Sequence, residues 1–151
     1  LRIEINGYNI KDLSEIAPER INKVIQIKEG LQQLRIEING YNIKDLSEIA
    51  PERINKVIQI KEGLQQLRIE INGYNIKDLS EIAPEQINKV IQIKEELQQL
   101  GVKIHYSDIK ALSEISPEQI NKVIQIKEGL QQLGIKINEY NIKALSEISP
   151  S

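Results

Sequence analysis

The 151 residues carry 20 Lys and Arg against 22 Asp and Glu, with one His and no Cys, for a formal net charge of −2. Without cysteine there is no disulfide framework, thiolate metal site or cysteine nucleophile, and the charge balance lacks the basic excess through which phosphate neutralisation drives nucleic-acid binding. No apolar run exceeds two residues, far below the roughly 20 that span a membrane, and no basic-then-apolar targeting segment opens the chain, so the composition is that of a soluble protein without a membrane partner.

A period of 33 residues organises the whole chain into one array: 1–33, 34–66, 67–99, 100–132 and a partial fifth repeat, 133–151. The first two repeats are identical, and the third differs only where Arg20 and Arg53 become Gln86 and where Gly30 and Gly63 become Glu96. Repeats this alike must make the same contacts with their neighbours, which defines a quasi-one-dimensional array. The chain opens without Met and in mid-pattern, as an excerpt or a processed product would.

Each repeat begins with a short helix. Asn6 is expected to cap it, with Ile5 and Ile10 packing as a hydrophobic staple, and the last repeat shows the same pattern in Ile137, Asn138 and Ile142. Ile142, Leu145 and Ile148 then fall on one apolar edge before Pro150 stops or redirects the chain.

A longer helix follows from Pro18, where the missing N–H costs nothing, to Leu34, about 25 Å at 1.5 Å per residue. Ile21, Val24, Ile25, Ile27, Leu31 and Leu34 span about half its circumference at 100° per residue, a stripe wide enough to touch two neighbours. In the fourth repeat Ser116 is the expected N-cap, with Gln119 at the capping-box spacing. Gly129 falls inside this helix, but the third repeat has Glu96 there, so the helix is expected to run through it. Leu100-Gly101-Val102 and Leu133-Gly134-Ile135 read as Schellman ends.

Neither helix can bury its apolar face alone. The expected fold is all-α, a right-packed α-solenoid of 33-residue helical hairpins. The junction also admits a leucine-rich-repeat-like α/β solenoid: "LQQLRIEIN" at 31–39 fits the strand signature of that repeat, with Leu34, Ile36 and Ile38 alternating. Against it stand the length of the period and the position of the leucines at the end of a helical stripe.

"SPEQINKVIQIKEGLQQLG" at 116–134 followed by "NIKALSEIS" at 141–149 is similar to the repeats of mitochondrial transcription termination factors, which pair a proline-led helix ending in Leu-Gly with a following helix. "SPEQI" at 116–120 also resembles the opening of transcription-activator-like effector repeats, although the base-reading Gly-Gly loop of those repeats has no counterpart. Both resemblances imply an all-helical array that binds DNA or RNA.

Two surfaces are candidate binding sites. Opposite the apolar stripe lie Asn22, Gln26 and Gln33, recurring as Asn55, Gln59 and Gln66, as Asn88, Gln92 and Gln99, and as Asn121, Gln125 and Gln132. Such amides read adenine edges or peptide backbone, and they also suit a plain solvated face. Lys23, Lys56, Lys89 and Lys122 would align as a row, balanced by neighbouring glutamates such as Glu19 and Glu29. The turn before the short helix varies most, "NGYN" at 6–9 against "HYSD" at 105–108 and "NEYN" at 138–141, and loops of this kind can carry specificity on a repeated scaffold.

No enzymatic constellation stands out. His105 lacks partners for a metal site or a triad, no glycine-rich phosphate loop occurs, and no cofactor is implied. The tyrosines Tyr8, Tyr41, Tyr74, Tyr106 and Tyr140 are expected as half-buried wedges between repeats. The expected function is therefore a non-enzymatic scaffold that binds protein or associates with its own copies end to end, with sequence-reading DNA or RNA binding as the alternative.

Overall fold

The computed structural model describes residues 3–7 and 9–148; Arg2, Tyr8 and Pro150, to which the sequence assigned a charge, a wedge and a stop, lie outside the described residues. Among the described residues every regular element is helical, which excludes the leucine-rich-repeat strand. The elements are α1 (Ile10–Ser14), α2 (Pro18–Gln33), α3 (Ile43–Leu46), α4 (Pro51–Gln66), α5 (Ile76–Leu79), α6 (Pro84–Gln92), α7 (Lys94–Gln99), α8 (Ile109–Leu112), α9 (Pro117–Gln125), α10 (Lys127–Gln132) and α11 (Ile142–Leu145), with one 3-10 turn at Tyr106–Asp108. They fall into two compact units, one ending at Glu62 and including Glu70–Glu81, the other formed by Gly63–Ile69 and the residues from Ile82 onward.

The long helices start where the prolines put them. In α9 both halves of the capping box form: Gln119 N donates to Ser116 Oγ at 3.1 Å and Ser116 N donates to Gln119 Oε1 at 2.9 Å. In α6 Ala83 has no side-chain acceptor, so only Ala83 N to Gln86 Oε1 remains, at 3.0 Å. Repeats one and two have arginine in place of that glutamine, and the side chain reaches out instead. Arg20 Nη1 donates to Ser47 Oγ at 3.1 Å and lies 3.3 Å from Glu48; Arg53 Nη1 donates to Ser80 Oγ at 2.9 Å and to Lys77 O at 3.2 Å. The Arg-to-Gln change thus exchanges a tie to the following repeat's short helix for a cap on the residue's own helix.

The C-terminal ends follow the Schellman pattern. Gly101 and Gly134 have φ of 72° and 73°. Val102 N donates to Leu97 O at 2.9 Å and Gly101 N to Gln98 O at 3.0 Å, closing both bonds of the motif. Repeats one and two make the same bonds, Ile36 N to Leu31 O and Ile69 N to Leu64 O at 2.9 Å, with an arginine in the left-handed position: Arg35 has φ of 57° and Arg68 of 58°. A Cβ there is held against the following carbonyl at about 1–2 kcal/mol. Arg35→Gly and Arg68→Gly are each expected to raise stability by about 0.5–1 kcal/mol, since glycine's larger unfolded-state entropy offsets part of that relief; denaturant midpoints measure it. Because this cap consumes the carbonyls of Leu31 and Leu64, the chain leaves each helix as an extended segment without a ladder partner, and the alternation of Leu34, Ile36 and Ile38 makes no strand.

Three local expectations are corrected. The short helices begin later than the first asparagine of each loop, after Asn9, Asn42, Asn75 and Asn141, so Asn6 and Asn138 are not N-caps and the staple register drawn from them does not apply. The long helix is continuous in repeats one and two but interrupted at Ile93 (φ −111°, ψ 13°) and at Ile126 (φ −104°, ψ 8°), three residues before Glu96 and Gly129. Within the stripe, Val24, Ile27, Leu31 and Leu34 are buried, whereas Ile21 is half-buried and Ile25 is exposed.

The interruption coincides with a difference in packing. A Cβ on Gly30 would overlap Ile54 Cγ2, and one on Gly63 would overlap Ile87 Cγ2, so α2 and α4 are approached closely by the next long helix. Gly129 has nothing within 4 Å, and Glu96 carries a side chain that such an approach would not admit. The continuous helices are the two with a glycine pressed against an isoleucine.

Candidate functional site

The loops before the short helices of repeats one, two, three and five are built on a pair of asparagines. In repeat two Asn39 N donates to Asn42 Oδ1 at 2.9 Å, Asn42 N and Tyr41 N donate to Asn39 Oδ1 at 2.9 and 2.8 Å, and Asn42 Nδ2 donates to Glu37 O at 2.7 Å. Repeats three and five repeat this with Asn72 and Asn75 and with Asn138 and Asn141. One amide thus supplies the acceptor for a turn and the donor for the extended segment before it, meeting the requirement that covered backbone groups be paired. Repeat two leaves little room above Asn9, since a Cβ on Gly40 would stand 3.3 Å from Asn9 Nδ2 and 3.2 Å from Leu13 Cδ2. The fourth repeat departs from the pattern with His105 and Asp108 in the two asparagine positions.

The tyrosines of these loops face solvent. Tyr41, Tyr74 and Tyr140 are 70%, 83% and 80% exposed, which overturns their expected role as wedges. In these loops the tyrosine's backbone N donates to the first asparagine: Tyr41 to Asn39, Tyr74 to Asn72 and Tyr140 to Asn138. Tyr106, displaced by one position in "HYSD", is less exposed.

The amide and lysine rows also lie on the surface. Asn22, Gln26, Gln33, Asn55, Gln59, Gln66, Asn88, Gln92, Gln99, Asn121, Gln125 and Gln132 are exposed, as are Lys23, Lys56, Lys89 and Lys122. None of these sixteen side chains makes a hydrogen bond or ion pair with a described residue, so their donors and acceptors are open to a partner. Lys23 stands with Arg20 at the edge of an open depression whose far side is Ser47, Glu48 and Ile49. In the second compact unit Lys89 and Gln92 border a similar depression against Ser113–Pro117. Arg20 and Glu48 there neutralise one another.

The apolar surface is distributed unevenly over equivalent positions. Ile43, Ile76, Ile109 and Ile142 are 0% exposed, yet Ile10, at the same place in repeat one, is 56% exposed. Leu34, Leu67 and Leu100 are 4–7% exposed, and Leu133 is 75% exposed. Ile135 is likewise exposed, whereas Ile36, Ile69 and Val102 are buried, and Ile5 is exposed where Ile38, Ile71, Ile104 and Ile137 are half-buried.

Among the described residues no three His, Asp or Glu side chains converge to hold a metal ion, and no helix is long and apolar enough to cross a membrane. Among the described residues Asp108 is the one titratable group pushed clearly from its ordinary value: burial raises its pKa, nearby Glu139 raises it further, and His105 opposes them. Sequence reading passed over this residue; the signal was the replacement of an asparagine that every other repeat keeps. Comparison of the chain with protein-family models, with curated proteins and with solved structures returns no match.

Proposed function

We propose that the chain is a non-enzymatic scaffold, a right-packed α-solenoid of 33-residue hairpins whose work is binding, and that the partner it suits best is another copy of itself, joined end to end. The observation that supports this most is the contrast between equivalent side chains. Ile43, Ile76, Ile109 and Ile142 are fully buried while Ile10, at the same place in repeat one, is 56% exposed, and Leu133 is 75% exposed where Leu34, Leu67 and Leu100 are buried. Repeats one and two are identical, so the surface around Ile10 has the chemistry of the one around Ile43. A second copy brings the long helices that cover such surfaces elsewhere. A head-to-tail contact of this kind propagates unless its geometry closes into a ring.

Sedimentation velocity across a wide concentration series tests the reading. Mass-average size is expected to rise with concentration, and Ile10→Glu or Leu133→Glu, placed at exposed sites, is expected to suppress the rise without loss of helicity. A chain that stays monomeric at high concentration, or association indifferent to both substitutions, contradicts it.

The alternative, sequence-reading nucleic-acid binding as the resemblance to termination-factor repeats implies, is favoured by the open amides and by the exposed Lys23, Lys56, Lys89 and Lys122. Titration with single- and double-stranded DNA and RNA at two salt concentrations separates the readings, because a phosphate-dominated complex weakens steeply with salt. Binding at low salt that Lys56→Ala and Lys89→Ala together reduce supports the alternative; its absence removes it.

A further inference from the structure

The fourth repeat forms a 3-10 turn at Tyr106–Asp108 in place of the asparagine loop, yet Asp108 (φ −99°, ψ −5°) keeps the backbone conformation of the second asparagine while changing its chemistry. In the other repeats the second asparagine donates its Nδ2 to a carbonyl five residues back: Asn9 to Glu4, Asn42 to Glu37, Asn75 to Glu70 and Asn141 to Lys136, at 2.7–2.8 Å. Asp108 takes that position, is only 8% exposed, and makes no side-chain hydrogen bond with a described residue. An ionised carboxylate has only acceptors and cannot donate to the carbonyl of Lys103, the group five residues back; a protonated one carries a single O–H that can.

The loop that follows also changes. Gly40 sits close above Asn9, leaving the amide room, and the residue equivalent to Gly40 in the last repeat is Glu139. Glu139 is close enough to Asp108 to act on it electrostatically. A second carboxylate therefore acts on Asp108, where the junction of repeats one and two sets Gly40 against Asn9. The charges around Asp108 are His105 on its own turn, which favours the ionised form, and Glu139 on the loop before α11, which opposes it. Lys103, Lys110, Lys136 and Lys143 on the same segments are exposed to solvent. Since α11 packs on α9 in the second compact unit, the junction anchors the last short helix.

We propose that Asp108 is a proton-controlled latch: taking a proton from solvent removes its repulsion with Glu139 and lets its O–H donate to the Lys103 carbonyl, tightening the docking of residues 138–148 on the fourth repeat. The sign follows from linkage. A carboxyl raised in the folded state contributes stability that is fully present below the ordinary carboxylate range and is lost as pH rises through its folded value. The segment therefore tightens on mild acidification, opposite to the behaviour of ion-paired carboxylates.

The test is amide hydrogen exchange of Ile142–Leu145 in the full chain, expressed as protection factors, together with an NMR titration of the Asp108 carboxyl. Protection in the wild type is expected to rise as the pH is lowered toward the ordinary carboxylate range, because the folded chain takes up the proton before the unfolded one does. Asp108→Asn, which copies the other repeats, is expected to hold the high level at both pH values, and Glu139→Gln to raise protection at neutral pH. Asp108→Asn tracking the wild type at both pH values, or an Asp108 carboxyl titrating in the ordinary range, overturns the proposal.

Discussion

Ile43→Ala and Ile76→Ala are each expected to lower stability by about 2–4 kcal/mol, while Ile10→Ala costs less than about 0.5 kcal/mol. The three isoleucines stand at one position of repeats identical over this stretch, on short helices with the same residues. Local propensity, capping and chain entropy are therefore common to all three and cancel in the comparison. What differs is cover: Ile43 and Ile76 are fully buried, and Ile10 is more than half exposed. Truncating a buried isoleucine removes transfer free energy and leaves a cavity whose lining loses dispersion contacts. Truncating an exposed one removes little of either. Urea midpoints of the three variants, with slopes m checked for constancy, measure the difference.

Gly63→Ala is expected to cost about 1–3 kcal/mol, and Gly129→Ala to gain about 0.5–1 kcal/mol. Both glycines lie inside helices, Gly63 in α4 and Gly129 in the six-residue α10, where alanine is the better helix former. At Gly129 nothing stands within 4 Å, so propensity acts alone. At Gly63 the new methyl would overlap Ile87 Cγ2. A β-branched side chain on a helix is held in one strongly preferred rotamer, so Ile87 cannot swing aside and the two helices must separate. The overpacking cost then exceeds the propensity gain. Gly30→Ala is expected to behave like Gly63→Ala, because Ile54 stands in the same relation to it. Thermal midpoints of opposite sign for the Gly63 and Gly129 variants would establish the close approach.

Much of the helical framework was legible because it is written in local chemistry. Pro51, Pro84 and Pro117 mark helix starts by removing a donor that would go unbonded, and Gly101 and Gly134 mark ends by permitting positive φ. Ser116 and Gln119 announce their capping box by spacing alone. Arg35 and Arg68 were opaque for the converse reason: they perform the glycine's task with a side chain that prefers not to, and the paired bonds to Gln32 and Leu31, or to Gln65 and Leu64, hold the turn. The asparagine pairs were visible as residues but not as pairs, since either one alone satisfies a capping pattern; their reciprocal bonds decide that the helix waits for the second. Exposure of the tyrosines was hidden because an aromatic at a regular interval reads equally as seam or surface. The breaks at Ile93 and Ile126 fall in the two long segments that lack a glycine pressed against an isoleucine, a difference in packing that no residue at the break announces. Asp108 could be noticed as a departure, but its consequence required seeing Asn9, Asn42, Asn75 and Asn141 each donate to a carbonyl.

The claim that apolar faces are hidden by neighbouring repeats is tested most directly by native-state amide hydrogen exchange on dilute, monomeric chain, comparing α1 with α3, α5, α8 and α11. Identical or near-identical short helices should then differ in protection, with α1 exchanging fastest and α3 and α5 among the slowest, because opening a helix whose isoleucine is covered must expose that cover as well. Equal protection of α1 and α3, which share every residue from the asparagine pair onward, would contradict the account.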